Sequence, residues 1–143
     1  MLSNIKLKLA EISDLDAMQQ AGDTLFDYAI KPNRAIEFIN DPRHHMVLAY
    51  DKDLIVGMAS GFHYIHPDKD PALFINEVSV IEAYQNKGIG RAIVKYLCEY
   101  GKKLDCTEAW IATEQSNTAA RKAYIAAGGI EDKEPIVMYA WEY

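Results

Sequence analysis

Apolar and polar residues alternate through Ile5-Lys6-Leu7-Lys8-Leu9, which predicts a half-buried first strand. The period then lengthens. Ser13-Asp14 precedes Leu15, Met18 and the Leu25-Phe26 pair, the pattern of a capped helix running into the low twenties. Pro32 stands where a first helical turn tolerates it, Ile36, Phe38 and Ile39 follow, and Asp41-Pro42 stops the segment. Met46–Tyr50 and Leu54–Tyr64 read as two strands joined by Asp51-Lys52-Asp53, with Gly57 and Gly61 marking a bulge or a close backbone approach. Ala72–Val80 is predicted as a third antiparallel neighbour, and simple parity places Leu73, Ile75, Glu77 and Ser79 on one face. From Gly88 onward, Ile89, Ala92, Ile93, Tyr96, Leu97, Tyr100 and Leu104 recur at steps of three and four, one core stripe on a long helix whose last turn Gly101 weakens. A strand around Ala109–Thr113 follows, then a helix capped by Ser116-Asn117, carrying Ala120, Ala123, Tyr124 and Ala127 and stopped by Gly128-Gly129. Ile136–Tyr143 is predicted as a closing strand.

These elements mix strands and helices with no repeat, low-complexity tract or linker between them, so residues 1–143 are expected to form a single domain. Half of the 143 residues are hydrophobic, enough to bury a core. The net charge of −6 argues against a nucleic-acid partner, because phosphate backbones are held by clustered Lys and Arg. The charge is uneven. Residues 82–105 hold five basic and three acidic side chains, a net +2 that leaves −8 for the rest, which suits an anionic ligand at one end and a cationic one at the other. Cys98 and Cys106 lack a paired spacing, and no signal peptide or long apolar span is present, so a reduced cytoplasmic setting without membrane insertion is expected. Metal is not expected either: His44 and His45 are adjacent and do not easily face one ion together, and His63 and His66 would point to opposite faces of a strand.

The chemistry concentrates in Phe74–Leu104, where an apolar strand passes through a short polar loop into a helix opening on Gly88-Ile89-Gly90. Free N–H groups at a helix start, the positive end of its dipole and two residues without Cβ make an anion site that a phosphate can approach closely. A dinucleotide fingerprint is excluded, since its third small position is Ile93 and no glycine opens the turn; a Walker loop would need Gly-Lys followed by Ser or Thr. The stretch instead carries Gln/Arg-x-x-Gly-x-Gly/Ala as Gln85-Asn86-Lys87-Gly88-Ile89-Gly90, followed by a strand at Glu108–Thr113 and by Asn117-x-x-Ala120-x-x-x-Tyr124-x-x-x-Gly128. In these two motifs, in this order and spacing, the chain resembles the GNAT superfamily of acetyl-CoA-dependent N-acetyltransferases. Leu73–Val80 and the preceding His66–Asp70 look most like the aminoglycoside 3-N-acetyltransferase branch.

The resemblance implies an α+β fold with a mostly antiparallel twisted sheet of six to seven strands, splayed in the middle and flanked by about four helices. It implies acetyl-CoA as co-substrate, its diphosphate cradled by Gln85, Asn86, Lys87, Gly88, Ile89, Gly90 and Arg91, with Gln85 in place of the commoner Arg shifting the load to Lys87 and Arg91. The pantetheine arm would pair with the main chain of Val78 and Val80 and hydrogen-bond Asn117, and Val78 N–H would stabilise charge on the carbonyl oxygen. Tyr124 resembles the tyrosine that protonates the departing thiolate. A carboxyl among apolar neighbours has a raised proton affinity, which makes Glu77 the candidate base, directly or through water, with Glu114 as the backup. The helices after the first strand would line the acceptor site, bringing Phe26, Asp27, Tyr28 and Arg34 to a small cationic amine, aminoglycoside-like or polyamine-like; His63 or His66 is a further candidate for its wall. Asp68, Asp70 and the Glu131-Asp132-Glu134 cluster would attract such a cation. A peptide or protein N-acetyltransferase and a catalytically silent acyl-CoA-binding module are the alternatives, and the edge of the C-terminal strand invites a homodimer.

Overall fold

The computed structural model describes residues 2–143. Its sheet contains β1 (Ile5–Leu9), β2 (His44–Asp51), β3 (Leu54–His66), β4 (Lys69–Val80) and β5 (Glu108–Ile111), in that spatial order. The first four are antiparallel neighbours and β5 runs parallel to β4. Helices α1 (Leu15–Ala21) and α2 (Pro32–Asn40) precede β2; α3 (Ile89–Lys103) and α4 (Thr118–Ala126) bracket β5.

The sheet separates two apolar clusters. On one face Ile89, Ile93, Val94 and Leu97 of α3 meet Val47, Ala49, Val56, Ala59, Leu73 and Ile75. On the other, Met18, Ala21, Leu25 and Ala35 from the α1–α2 region meet Met46, Leu48, Ile55 and Met58. Full burial of each Leu or Ile contributes about 1.5–3 kcal/mol. Gly101 has a packing role: a Cβ there would lie 3.0 Å from Leu73 Cδ2, so its absence lets α3 settle on β4.

Two local expectations change. Asp14, read as a cap, is 5 % exposed and instead collects the Tyr50 hydroxyl at 2.7 Å, the Glu11 N–H at 2.8 Å and the Lys8 ammonium at 2.9 Å. Burial opposes its ionisation, but the bonds from Tyr50, Lys8 and the Glu11 amide prevail and hold its carboxyl below the usual range. The sheet has five strands rather than six or seven, because Ile136–Tyr143 does not join it. That segment departs after Gly128, at φ +102°, with Gly129 N–H bonded to Tyr124 O at 2.9 Å, and its large apolar side chains lie in solvent.

Candidate active site

The site arises where regular pairing fails. β5 pairs with β4 only from Ala72 opposite Glu108 to Ile75 opposite Ile111, whereas β4 continues along β3 as far as Val80. Beyond Ile75 the two strands diverge and leave the β4 edge open at Val78 and Val80. An open edge of this kind accepts an extended amide-bearing chain as an added strand.

The same point carries a bulge. Ser60 pairs with Glu77 and Gly61 with Ile75, so Asn76 is an inserted residue. The buried Ser60 hydroxyl donates to Asn76 Oδ1 at 3.0 Å, and a Cβ on Gly61 would stand 2.5 Å from the Phe74 carbonyl oxygen. One inserted residue reverses every later side chain. Val78 and Val80 therefore continue the α3 cluster begun by Leu73 and Ile75, and Glu77 turns to the opposite face. The parity expectation that grouped Glu77 with Leu73 and Ile75 is corrected: Glu77 opens onto a cleft instead of sitting among apolar neighbours.

That cleft, about 430 Å³, brings together Asp27, Glu77, Val78, Glu114, Asn117 and Tyr124, with Leu25 and Met58 as an apolar floor. Partial desolvation raises the proton affinity of Glu77, and the charge and hydrogen bond of Asp27 raise it further. Tyr124 is pushed up by burial and by the Glu114 carboxylate, so its phenol keeps a proton at neutral pH. Asn117 is the α4 cap, accepting from Ala120 N–H at 3.1 Å. Asp27 sits in the loop before α2, and its place opposite Glu77 depends on the bulge, so spacing alone could group it only loosely with Phe26, Tyr28 and Arg34. Thr113 also lines the cleft; being the last residue of the predicted β5, it could have been singled out by its position.

At the far end of β4, Gly88 caps α3 with φ +84°, a left-handed geometry that glycine adopts without strain, and Asn86 has φ +59°. No side chain caps this helix start, and the first helical bond is Ala92 N–H to Gly88 O. The N–H groups before it are those a helix leaves for an anion. Gln85 Nε2 donates to Val80 O at 2.9 Å, tying the loop to the open strand. Lys87 donates to Ala83 O at 3.0 Å and lies 5.2 Å from the Tyr84 ring centroid. This donor set, with its glycines and the adjoining strand edge, fits a diphosphate continued by a pantetheine arm.

Other candidates lie elsewhere. His66 and Asp68 bond each other at the β3–β4 turn, about 20–25 Å along the sheet from Glu77 at roughly 3.3 Å per residue. His63 does not line the cleft: its Nδ1 lies 2.7 Å from Nε2 of His45, a contact between residues eighteen apart that their spacing did not reveal. Glu131 is engaged by Arg121. Among the described residues no group of three or more His, Cys, Asp or Glu is placed to hold a metal.

Residues 9–128 match the family model described as Acetyltransferase (GNAT) family. The chain belongs to the GNAT family. It is accordingly an acetyl-CoA-dependent N-acetyltransferase. No curated protein matches the sequence. Among solved structures, the acetyltransferase is similar to the aminoglycoside acetyltransferase meta-AAC0020 from an uncultured soil metagenomic sample, at TM-score 0.84 and 14 % identity, covering 100 % of both chains. It is similar to the aminoglycoside N-acetyltransferase AAC(6')-Iy in complex with a bisubstrate analog, at TM-score 0.80 and 17 % identity, covering 98 % of this chain and 99 % of that one. A transcriptional regulator from Bacillus halodurans C-125 shares the architecture at TM-score 0.74 and 21 % identity, over 95 % and 99 % of the two chains. At these identities the likeness is one of fold, and it does not single out the 3-N branch.

Proposed function

We propose that this acetyltransferase acetylates a primary amine of a small cationic acceptor, aminoglycoside-like or polyamine-like, by direct attack within a ternary complex. The observation that carries this reading is the convergence of Asp27, Glu77 and Glu114 with Tyr124 at the open edge of β4. Three carboxylates around one cleft attract an ammonium group, and the raised proton affinity of Glu77 equips it to take the proton that attack requires. The fold shared with aminoglycoside acetyltransferases supports the acceptor class.

Acetyl-CoA supplies the thioester carbon that the amine attacks. Main-chain groups of Gln85, Asn86, Lys87, Gly88, Ile89, Gly90 and Arg91 hold the diphosphate, while Val78 and Val80 pair with the arm and Asn117 positions it. Glu77 takes a proton from the acceptor nitrogen, directly or through water. Val78 N–H donates to the carbonyl oxygen as it gains charge. Tyr124 gives its phenolic proton to sulfur as the carbon–sulfur bond breaks and the carbon–nitrogen bond is complete. The working unit is one domain over residues 1–143, assembled as a homodimer in the cytoplasm, a reducing setting that suits the free thiols of Cys98 and Cys106.

The test is thiol release across aminoglycosides, polyamines and peptide amines. Glu77→Gln and Tyr124→Phe should each lower kcat by about 10²-fold or more. Unchanged turnover in both variants refutes the roles; calorimetric CoA binding without transfer to any amine points to the silent binding module.

A further inference from the structure

Below the acceptor cleft the same face of the sheet carries a row of aromatic rings. Met58 lines the cleft floor, and parity along β3 puts Ser60, Phe62 and Tyr64 on its side. Phe62 pairs with Phe74 on β4, and Phe74 with Trp110 on β5, so three rings lie side by side across three strands. The Phe62 and Phe74 rings meet edge-on with centroids 5.4 Å apart, and those of Phe74 and Trp110 lie 4.2 Å apart at 33°. Trp110 Nε1–H donates to the Tyr64 hydroxyl at 2.9 Å. That bond fixes the indole and occupies its polar group, leaving the ring face as what it offers.

Cross-strand aromatic pairs stabilise sheets in general, which accounts for the ring contacts. It does not account for the exposure: Trp110 is 42 % exposed, although the α1–α2 region buries Met46, Leu48, Ile55 and Met58 on the same face. The row is continuous with the cleft. Past Trp110 on β5, Ala112 and Thr113 line it, and past Phe74 on β4, Asn76 and Glu77 do. Because Ser60 pairs with Glu77 and Phe62 with Phe74, the row lies two β3 residues from Glu77, and one further strand spacing puts Trp110 about 8 Å from it along the sheet. The charge around the row has one sign. Asp27, Glu77 and Glu114 stand at the cleft end, and exposed Glu108, two residues before Trp110, shares its face by parity. At the β3–β4 turn the Lys69 ammonium is engaged by Asp68 at 2.9 Å. Ring faces bordered by carboxylates attract a cation.

We propose that Phe62, Phe74 and Trp110 form a second acceptor subsite, which holds one ammonium group over the Trp110 ring while another nitrogen of the same molecule is acetylated beside Glu77. The acceptor it selects is an extended amine with positive charges about 8–10 Å apart. The negative ring face of tryptophan suits this contact better than that of any other side chain, and the two phenylalanines hold the indole in place. The subsite moves no proton and touches no reacting atom. Its contribution is binding to a remote part of the acceptor, equal before and during reaction, so it acts on KM. This deepens the acetyl-transfer reading and rests on it for the position of the reacting nitrogen.

The experiment titrates the full chain, in the presence of CoA, with the three-carbon and seven-carbon α,ω-diamines and with heptylamine, by calorimetry. From standard bond lengths the nitrogens of the two diamines reach roughly 5 Å and roughly 10 Å apart. The seven-carbon diamine should bind about ten-fold tighter than either of the others. It should also change the emission of Trp110 in a Trp141→Phe chain, where Trp110 is the sole tryptophan. Trp110→Leu should cut the preference to below about two-fold and Trp110→Phe should keep part of it, with the loss in thiol release falling on amine KM rather than kcat. Heptylamine binding as tightly as the seven-carbon diamine would make the row a merely apolar surface, and the three-carbon diamine doing so would leave both charges in the cleft. Either result overturns the subsite, as do a seven-carbon diamine that does not bind and a preference that survives Trp110→Leu. The chain-length and emission comparisons keep Trp110 in place, so they decide the matter even where Trp110→Leu does not fold. If no amine is acetylated, these binding results still stand or fall by themselves, separately from the failure of the catalytic reading.

Discussion

Lowering the pH should weaken the native state through His45. Its ring is 7 % exposed, lies 5.0 Å centroid to centroid and 13° from that of His63, and meets Tyr100 edge-on at 5.1 Å. One ring nitrogen donates and the other accepts across the 2.7 Å contact, an arrangement that a proton on the accepting nitrogen destroys. Burial, then the charges of His63 and His44, bring the His45 pKa down to about 4, against about 6.5 for an ordinary histidine. The unfolded chain therefore takes up the proton first. Stability is complete above about pH 6.5, falls as pH drops towards about 4, and levels off below. At about 1.36 kcal/mol per pH unit the loss comes to a little over 3 kcal/mol, and water at the outer side of the pair screens part of it, leaving about 2–3 kcal/mol. That is a large share of the roughly 5–15 kcal/mol that holds a domain together. Urea unfolding followed by circular dichroism at several pH values between 7.5 and 4 measures this, and the difference between the native chain and His45→Asn isolates it from the carboxylates. Equal slopes in the two proteins, or an NMR titration of His45 with an ordinary midpoint, would refute the reasoning.

Gly61→Ala should cost about 1–3 kcal/mol, because its methyl meets a backbone carbonyl that cannot rotate away; a midpoint unchanged in urea would mean that the bulge relaxes freely. Asp27→Asn removes the like charge facing Glu77 and should move the acidic limb of the kcat/KM profile to lower pH, which pH-resolved thiol release detects; an unmoved limb would separate Asp27 from the base. Asn117→Ala should lose about 1 kcal/mol of stability with the cap of α4, read as a lowered Tm.

The uncapped helix start was legible because its geometry is local: the helix opens at Ile89, and the left-handed Gly88 is where the pattern placed a glycine. The acceptor end was legible only in its residue types. Glu77 faces the cleft because Asn76 is inserted opposite Ser60 and Gly61, and no periodicity within β4 reveals a residue counted against another strand. The His45–His63 contact was hidden for the same reason, since it is made across the β2–β3 ladder. At the other end of the chain, the strand pattern of Ile136–Tyr143 is plain, but a pattern states that a strand must be covered and not which sheet covers it.

The sheet keeps its two apolar clusters apart, α3 on one face and the α1–α2 region on the other, with the cleft floor of Leu25 and Met58 drawn wholly from the second. On the proposed reading, nucleotide grip and amine choice are then largely separable traits. Replacements in the α1–α2 cap would reshape what is acetylated while the cofactor's seat stays as it was, so a lineage built on this scaffold would change its target by drift in one half of the molecule without relearning the chemistry housed in the other.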